Sequence, residues 1–229
     1  PGNNFGAGLL PANPLPHTET VNALRVHFRN WVLKGTSPPA SVWPQLSRGE
    51  LVDANKQAMG FPTLPGLRAT IPEPDFIMPV LDYDWGPQFN PSDGSGVPTN
   101  VPPPIRRAIR MLVPRVNADG NEVGGVPAVL YWAPLGTYLG WNVTAGGERP
   151  FHEGQICNYA GGMIPFAKTQ AEREARGDPR LSLQERYGSH EGYVLTVKNA
   201  AHIAQRAGFL LSEDAEALVK QAETSQVLK

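Results

Sequence analysis

The sequence predicts a mixed α/β fold, and three observations lead to this prediction. An apolar stripe recurs at helical spacing early in the chain, β-branched and aromatic residues gather in its middle, and helix-capping patterns fill its last third. With 229 residues, of which 41% are hydrophobic and 18% are charged, the chain is long enough to bury a substantial core. We divide it into residues 1–45, 46–150 and 151–229, which we expect to form one domain.

A helix is predicted over residues 18–34, directly after a loop that Pro14 and Pro16 exclude from helical conformation. Thr18 is the expected N-cap, and Gly35 is expected to end the helix. The apolar residues that share one face of this helix are Val21, Leu24, Phe28, Trp31 and Val32. The polar residues opposite them, on a face that we expect to be solvated, are Asn22, Arg25 and Arg29. The apolar face should therefore pack on another layer of the protein.

Residues 36–104 are interrupted too often by turn-forming residues for long elements to be expected. The whole chain contains 24 glycines and 24 prolines, well above the usual combined share of roughly 12%. Short strands are predicted near residues 50–52 and 76–81. Residues 90–104 are predicted to form a surface loop, with an interdomain linker as the alternative.

A β-hairpin is predicted in the middle of the chain. Its arms are residues 105–116 and 126–132, which we expect to pair, and its tight turn is centred on Asp119-Gly120. The turn is rich in side-chain oxygens, which suggests a calcium loop as an alternative. The spacing of these residues does not match the calcium-loop pattern, and turn formation explains all of them.

The stretch from residue 126 to residue 142 has the densest gathering of β-branched and aromatic residues, so we expect it to be buried. Pro134 and Gly136 cannot lie within one uninterrupted central strand. Two short extended segments that meet at a bend are therefore predicted. The aromatic residues expected to supply packing area are Tyr131, Trp132, Tyr138 and Trp141.

Capping patterns predict four helices in the last third. Residues 169–172 and 182–185 each fit a capping box, and Gly177 ends the first of these helices. A longer helix is predicted to start at Ser189 or His190 and to end at Gly208, and Ser212 is the predicted cap of the last helix. The predicted inner faces consist of Tyr193, Val194, Val197, Ala201, Ala204, Ala215, Leu218, Val219 and Ala222.

Composition argues against several classes of partner and site. The net charge is −1 and no basic stripe alternates with aromatic residues, so neither nucleic acid nor an anionic membrane is an expected partner. No apolar run approaches the roughly 18 residues that a transmembrane helix requires. The single cysteine, Cys157, excludes an internal disulfide and a multi-cysteine metal site, and a small buried apolar role is expected for it.

Motifs for common catalytic machinery are absent from the sequence. No serine lies in a G-x-S-x-G nucleophile motif, and Ser95 in Asp93-Gly94-Ser95-Gly96 is the nearest approach. The pairs His152-Glu153 and His190-Glu191 lack the second histidine of a zinc-binding helix. The paired glycines do not form a nucleotide-binding loop. We therefore predict no cofactor, no metal and no catalytic residue within this chain.

Several dispersed segments nevertheless resemble a family of large α/β-hydrolase-fold proteins. Residues 12–16, followed by Asn30-Trp31-Val32, Gly35 and Pro38-Pro39, resemble the segment after the last core strand, where a terminal helix ends in W-V-x-x-G-x-x-P-P. Further segments that resemble the C-terminal region of the family are residues 119–122, 134–142, 162–167 and 177–187. The resemblance covers residues 12–218, and its segments follow the order found in the family.

This resemblance implies a serine hydrolase, with an esterase as the expected activity and a small-molecule ester as the expected substrate. The α/β-hydrolase order of serine, then aspartate or glutamate, then histidine would place all three catalytic groups before Pro1. His17 is the nearest loop histidine, but the family pattern does not require a histidine there. The chain would then be a C-terminal portion whose partner is the N-terminal part of the same protein, as its loop-like opening also suggests.

Tyr138, Trp141 and Asn142 are the predicted substrate-binding residues. Aromatic rings, an amide and the accessible backbone of Gly140 form the mostly apolar lining that small-molecule sites favour. A role in the core is the alternative for the two aromatic residues, because such residues in a β-rich stretch are usually buried. For the whole chain, the alternative to an enzyme is a non-catalytic binding or structural module.

Overall fold

The computed structural model describes residues 8–67, 80–144 and 161–229, together with the backbone of residues 156–157. The α-helices in this part of the chain are α1 (Thr18–Lys34), α2 (Lys56–Met59), α3 (Val129–Trp132), α4 (Gln170–Ala175), α5 (Leu183–Tyr187), α6 (His190–Arg206) and α7 (Ser212–Thr224). A short 3-10 helix covers Leu46–Arg48.

The described strands form five antiparallel pairs, each of two strands. The strands are β1 (Leu51–Asp53), β2 (Val80–Tyr83), β3 (Phe89–Asn90), β4 (Ser95–Gly96), β5 (Ile105–Ile109), β6 (Leu112–Pro114), β7 (Gly136–Leu139), β8 (Asn142–Val143), β9 (Ile156–Cys157) and β10 (Gly162–Pro165). The pairs are β1 with β6, β2 with β5, β3 with β4, β7 with β10 and β8 with β9. The predicted strand near residue 50 is confirmed, and residues 76–79 of the other predicted strand lie outside the described residues.

Helix α1 has the predicted bounds, but its N-cap is His17 and not Thr18. The backbone of Thr18 is already helical, so its side chain cannot take the capping position. Gly35 ends the helix with a φ of 68°, in the left-handed region that glycine adopts without a steric penalty.

The face of α1 that contacts the rest of the described chain lies between the predicted apolar and polar faces. Asn22 donates to Asp214 of α7 at 3.3 Å, and the Nε2 atom of His27 lies 2.8 Å from the carbonyl oxygen of Gly208. Ala23, between them on this face, is fully buried. Arg25 and Arg29 of the predicted polar face are exposed as predicted, whereas Asn22 is partly buried.

The apolar stripe of α1 is exposed in this chain. Phe28 has 63% of its surface exposed and Trp31 has 53%. The other stripe residues with exposed side chains are Val21, Leu24 and Val32. An exposed apolar patch of this kind marks an interaction surface in most soluble proteins.

The predicted pairing of the central hairpin is wrong, although its turn is present. Val116 bridges Glu122 across the turn, and Gly120 has a φ of 78°. Beyond the turn, the left-handed glycines Gly124 and Gly125 redirect the backbone, and Pro127 has no N–H to contribute to a ladder. The residues of the first arm therefore pair elsewhere, as β5 with β2 and β6 with β1.

The aromatic-rich stretch begins with a helical turn rather than the predicted extended segment. Val129 and Ala133, at the two ends of α3, are buried against the C-terminal helices, whereas Trp132 is 49% exposed. The second predicted segment is confirmed, because all four residues of β7 are buried. Burial of α3 against α6 determines the local conformation here more strongly than β propensity does.

The four predicted helices of the C-terminal third are confirmed between residues 170 and 224, whereas residues 162–165 form strand β10. Ser182 forms the complete capping box with Glu185, and Thr169 caps α4 through the N–H of Glu172. Ser212 is the first residue of α7 and not its N-cap, which is Leu211. All the predicted inner-face residues of α6 are buried, and they form one core with Val129, Ala133, Ala200, Leu210, Ala215 and Ala222.

A buried ion pair connects the C-terminal region to the β7–β10 ladder. Arg180 is completely buried and binds Asp178 with two hydrogen bonds of 2.9 and 2.7 Å. It also donates to the Oγ1 atom of Thr137 at 2.9 Å and to the carbonyl oxygen of Ile164 at 2.8 Å. Burial opposes the charge of Asp178, but the hydrogen bonds and the charge of Arg180 outweigh it and lower the pKa of this carboxyl.

A second ion pair lies beside the first. Arg186 pairs with Asp119 of the central turn, and its guanidinium lies 4.2 Å from the ring centroid of Phe166. Arg180 lies 5.0 Å from the same centroid. The Phe166 ring therefore contacts two guanidinium groups. These cation–π contacts help to fix the side chains of Arg180 and Arg186.

Removal of one partner of the buried pair should strongly destabilise the protein. Arg180→Ala leaves the Asp178 carboxylate buried without its cation, and we expect a loss of about 3–5 kcal/mol in the free energy of unfolding, measured by urea denaturation. Arg176→Ala is the matched control, because Arg176 is exposed at the end of α4. Equal effects of the two substitutions would contradict the structural role assigned to Arg180.

Candidate substrate cavity

An open cavity of about 750 Å³ lies beside the start of α1. Its walls come from residues before and within the first turns of α1, from the segment after the central turn, from α3 and from the β7 region. The lining residues are 13, 15–17, 20, 21, 42, 48, 50, 121, 122, 124–128, 131, 132, 138 and 140. Its size is typical of a small-molecule site, and it is bordered mainly by apolar and aromatic side chains with a few polar groups. The cavity is formed by segments that are far apart in the sequence.

Tyr138 is fixed in this cavity by two hydrogen bonds. Its hydroxyl accepts the N–H of Leu135 at 2.9 Å, and its backbone N–H donates to the Oδ1 atom of Asn121 at 2.7 Å. Burial raises the pKa of the Tyr138 hydroxyl. Leu135, which donates to this hydroxyl, does not line the cavity, so Tyr138 contributes a fixed part of the cavity wall rather than a free hydroxyl.

Trp141 and Asn142, the other two predicted substrate-binding residues, do not border the cavity. The Oδ1 atom of Asn142 accepts the N–H of Leu10 at 3.0 Å, and its Nδ2 atom donates to the carbonyl oxygen of Leu10 at 3.0 Å. Trp141 packs beside a core that contains Leu10 and Leu139. Trp141 and Asn142 are the two residues that follow Gly140 in the chain. The backbone of Gly140 does line the cavity.

Besides Tyr131 and Tyr138, four ionisable residues line the cavity: His17, Arg48, Glu50 and Glu122. The carboxylate of Glu50 accepts the N–H of Gln45 at 2.8 Å. Glu122 is exposed to solvent, but the protein around its carboxyl desolvates it and raises its pKa. A carboxyl with a raised pKa in a cavity is a candidate for a functional role.

In the sequence, Glu122 is marked only by its place in the segment 119–122 at the central turn. Its position in a cavity results from the glycines that follow it and from the packing of the turn on β7, where the Nδ2 atom of Asn121 donates to the carbonyl oxygen of Gly136 at 3.1 Å. No sequence spacing signals this contact, since it joins side chain to backbone across 15 residues.

Neither His17 nor Ser95 has the surroundings of a catalytic pair. His17 is exposed at the start of α1, and Ser95 is exposed in the β3–β4 hairpin, where its N–H donates to Asp93 at 2.9 Å. In the described part of the chain, no serine hydroxyl is hydrogen-bonded to a histidine. The side chains of His152 and Cys157 lie outside the described residues.

A metal site and a membrane-spanning helix are both absent from the described residues. No three side chains of histidine, cysteine, aspartate or glutamate converge on a point where a metal ion could bind, as far as the described residues extend. Among those residues no helix has both the length and the apolar character needed to cross a membrane.

Comparison with known proteins identifies the family. No curated protein and no solved structure matches the chain. A family model described as an alpha/beta hydrolase domain matches residues 2–220, which is nearly the whole chain. This match confirms both the resemblance and the α/β fold class predicted from the sequence, and the chain belongs to the alpha/beta hydrolase domain family.

Proposed function

We propose that this chain is part of an enzyme that hydrolyses an ester or a related acyl bond through a Ser-His-Asp/Glu triad. The family match over residues 2–220 is the observation that carries the proposal, because α/β-hydrolase domains commonly use such a triad. We place the nucleophile before Pro1, since none of the 229 residues forms a G-x-S-x-G motif. This chain then supplies one wall of the substrate site.

The exposed stripe of α1 supports a partner surface contributed by the N-terminal part of the same protein. In an α/β-hydrolase fold the terminal helix packs on the core sheet. Phe28 and Trp31 would then be buried by this sheet, while Asn22 and His27 hold the opposite face against the C-terminal helices.

The cavity beside Tyr138 is the proposed binding site for the acyl or alcohol portion of the substrate. Its apolar lining suits a carbon-rich group, and Tyr138 forms a fixed part of its wall. We assign Trp141 and Asn142 to the same site as positioning residues, because their packing and hydrogen bonds hold the segment that contains Gly140.

A non-catalytic binding module is the alternative function. The absence of a serine–histidine pair from the described residues favours it over an enzyme that is complete within this chain. The two functions differ in whether the longer protein contains a nucleophile that acts on the substrate held beside Tyr138.

A hydrolysis assay tests the proposed activity. Residues 1–229 alone should not hydrolyse a p-nitrophenyl ester above the buffer rate, whereas the protein that also contains a preceding G-x-S-x-G motif should do so. Substitution of that serine by alanine should remove the activity by a factor of at least about 1,000. Turnover by residues 1–229 that disappears in Ser95→Ala or His17→Ala would contradict the placement of the triad. No turnover by the longer protein would favour a binding module.

The effect of Trp31→Ala should depend on whether the proposed core is present. In residues 1–229 alone, the free energy of unfolding should change by less than about 0.5 kcal/mol because the ring is largely exposed. In the longer protein the cost should be about 3–5 kcal/mol, as for a buried large aromatic residue. Leu33→Ala is the control, since Leu33 is exposed and lies off the stripe. A small effect of Trp31→Ala in both proteins would exclude the proposed packing.

Two tyrosine variants distinguish a substrate contact from a structural role. Tyr138→Phe and Tyr187→Phe each remove one hydrogen bond of a largely buried hydroxyl, to Leu135 and to Pro134 respectively, so each should cost about 1 kcal/mol of stability. Of these two tyrosines, Tyr138 lines the cavity and Tyr187 does not. We therefore expect Tyr138→Phe to lower kcat/KM of the active protein about three- to tenfold, and Tyr187→Phe to leave it unchanged.

Equal kcat/KM values for Tyr138→Phe and Tyr187→Phe would indicate that Tyr138 has a structural role and does not contact the substrate. Trp141→Phe provides a further comparison in the same assay, because it preserves an aromatic ring but removes the indole donor. A positioning role predicts that Tm and kcat/KM decrease together. A decrease in Tm alone would restrict Trp141 to the core.

A further inference from the structure

Helix α3 presents two aromatic side chains to the candidate substrate cavity. Val129 and Ala133 are buried against the C-terminal helices and hold one side of this helical turn. Tyr131 and Trp132 project from the remaining sides, and both line the cavity. Trp132 keeps 49% of its surface exposed. The packing of α3 therefore leaves about half of a large aromatic residue uncovered beside an open cavity.

The rings of Tyr131 and Trp132 are arranged edge to face, with centroids 5.4 Å apart and planes at 82°. Aromatic rings attract one another in this geometry because the edge of a ring is positive and its face is negative. A third ring in the cavity would extend this attraction. An aliphatic group would gain only from the apolar area that it buries. The pair therefore favours an aromatic ligand over a saturated one of similar size.

Arg48 adds a cation to the same lining. Its guanidinium has neither a hydrogen bond nor an ion pair with the described residues. Such a group stacks readily on an aromatic face, which attracts cations. An anionic ligand could also pair with Arg48, but it would share the cavity with the carboxyl groups of Glu50 and Glu122. A neutral aromatic ring is therefore the better complement to the charges of this lining.

Bare backbone forms another part of the lining, at Gly125 and Gly140. A Cβ atom built at either glycine would meet no protein atom within 4 Å, so open space lies next to the peptide groups there. A flat group can approach such backbone more closely than a wall covered by side chains. The cavity thus combines exposed aromatic surface, an available cation and accessible peptide planes.

We propose that this cavity binds a planar aromatic ring, in contact with Trp132, Arg48 and the backbone of Gly140, and that the substrate is an ester that carries such a ring. The cavity volume of about 750 Å³ leaves room for the remainder of the ester. The assignment of an ester substrate rests on the proposed function. Binding of the ring does not, because it requires no nucleophile.

Two amides test the preference for an aromatic ring. Decalin carboxamide has the same carboxamide and the same two fused rings as naphthamide, but its rings are saturated. Isothermal titration calorimetry on the protein should show that naphthamide binds at least about fivefold more tightly. A site that responds only to apolar area would favour the saturated compound, which is the more hydrophobic of the two. Equal affinities or the reverse order would overturn the proposal.

Neither amide contains an ester, so the measurement is independent of turnover. A protein that binds naphthamide preferentially but hydrolyses no ester would contradict only the proposed activity. A protein that hydrolyses esters but does not distinguish the two amides would contradict only the preference for a ring.

Trp132→Leu tests the assigned aromatic contact, because leucine preserves an apolar side chain but removes the ring. We expect naphthamide binding to weaken at least about fivefold and decalin carboxamide binding to remain nearly unchanged. Trp43→Leu is the matched control, since Trp43 is 56% exposed and does not line the cavity. Melting curves of both variants check that each is folded. Equal losses of naphthamide affinity in the two variants would overturn the assignment.

Gly140→Ala tests the same site without removing any group. The φ of Gly140 lies outside the left-handed region and the added methyl group meets no protein atom within 4 Å, so we expect an unchanged Tm. The methyl group would occupy space next to the backbone on which the ring is proposed to lie, and naphthamide binding should weaken about threefold or more. Unchanged naphthamide affinity in both Trp132→Leu and Gly140→Ala would overturn the proposal.

Discussion

The guanidinium of Arg180 is the constraint on which the remaining structure most depends. All five of its N–H groups find acceptors: two on Asp178, one on Thr137 and two on backbone carbonyl groups of β10. A lysine could not replace it, because an ammonium group has three donors and cannot reach acceptors in this planar arrangement. One side chain therefore determines the position of the chain before α5 relative to the β7–β10 ladder.

The same constraint extends to the candidate substrate cavity. Thr137, which accepts from Arg180, donates to the carbonyl oxygen of Asp119 in the central turn. Asn121 then binds the backbone of both neighbours of Thr137 in β7, namely Gly136 and Tyr138. The turn and the tyrosine that border the cavity are thus connected to Arg180 by consecutive hydrogen bonds, and their relative position depends on a buried cation outside the cavity.

Helices were predictable from this sequence to the extent that their signals are local. The bounds of α1 follow from its apolar period and Gly35, and Ser182 and Ser189 act as N-caps as predicted. The orientation of α1 and the pairing of the strands were not predictable, because both depend on contacts between distant segments. Glu122 illustrates the same limit, since it enters a cavity only after separate segments pack together.

Side-chain amides supplement backbone pairing where the strands are short. A chain with 24 prolines lacks many of the N–H groups that long ladders require. Asn142 forms a two-way amide bridge to Leu10, and the Nδ2 atom of Asn13 donates to the carbonyl oxygen of Leu139 at 3.2 Å. Backbone hydrogen bonds hold the same loop, since the N–H of Asn13 donates to the carbonyl oxygen of Gly161 at 3.0 Å and that of Met163 to Pro11 at 2.8 Å. Because both kinds of bond act on one short loop, its position beside the candidate substrate cavity is fixed without a long ladder.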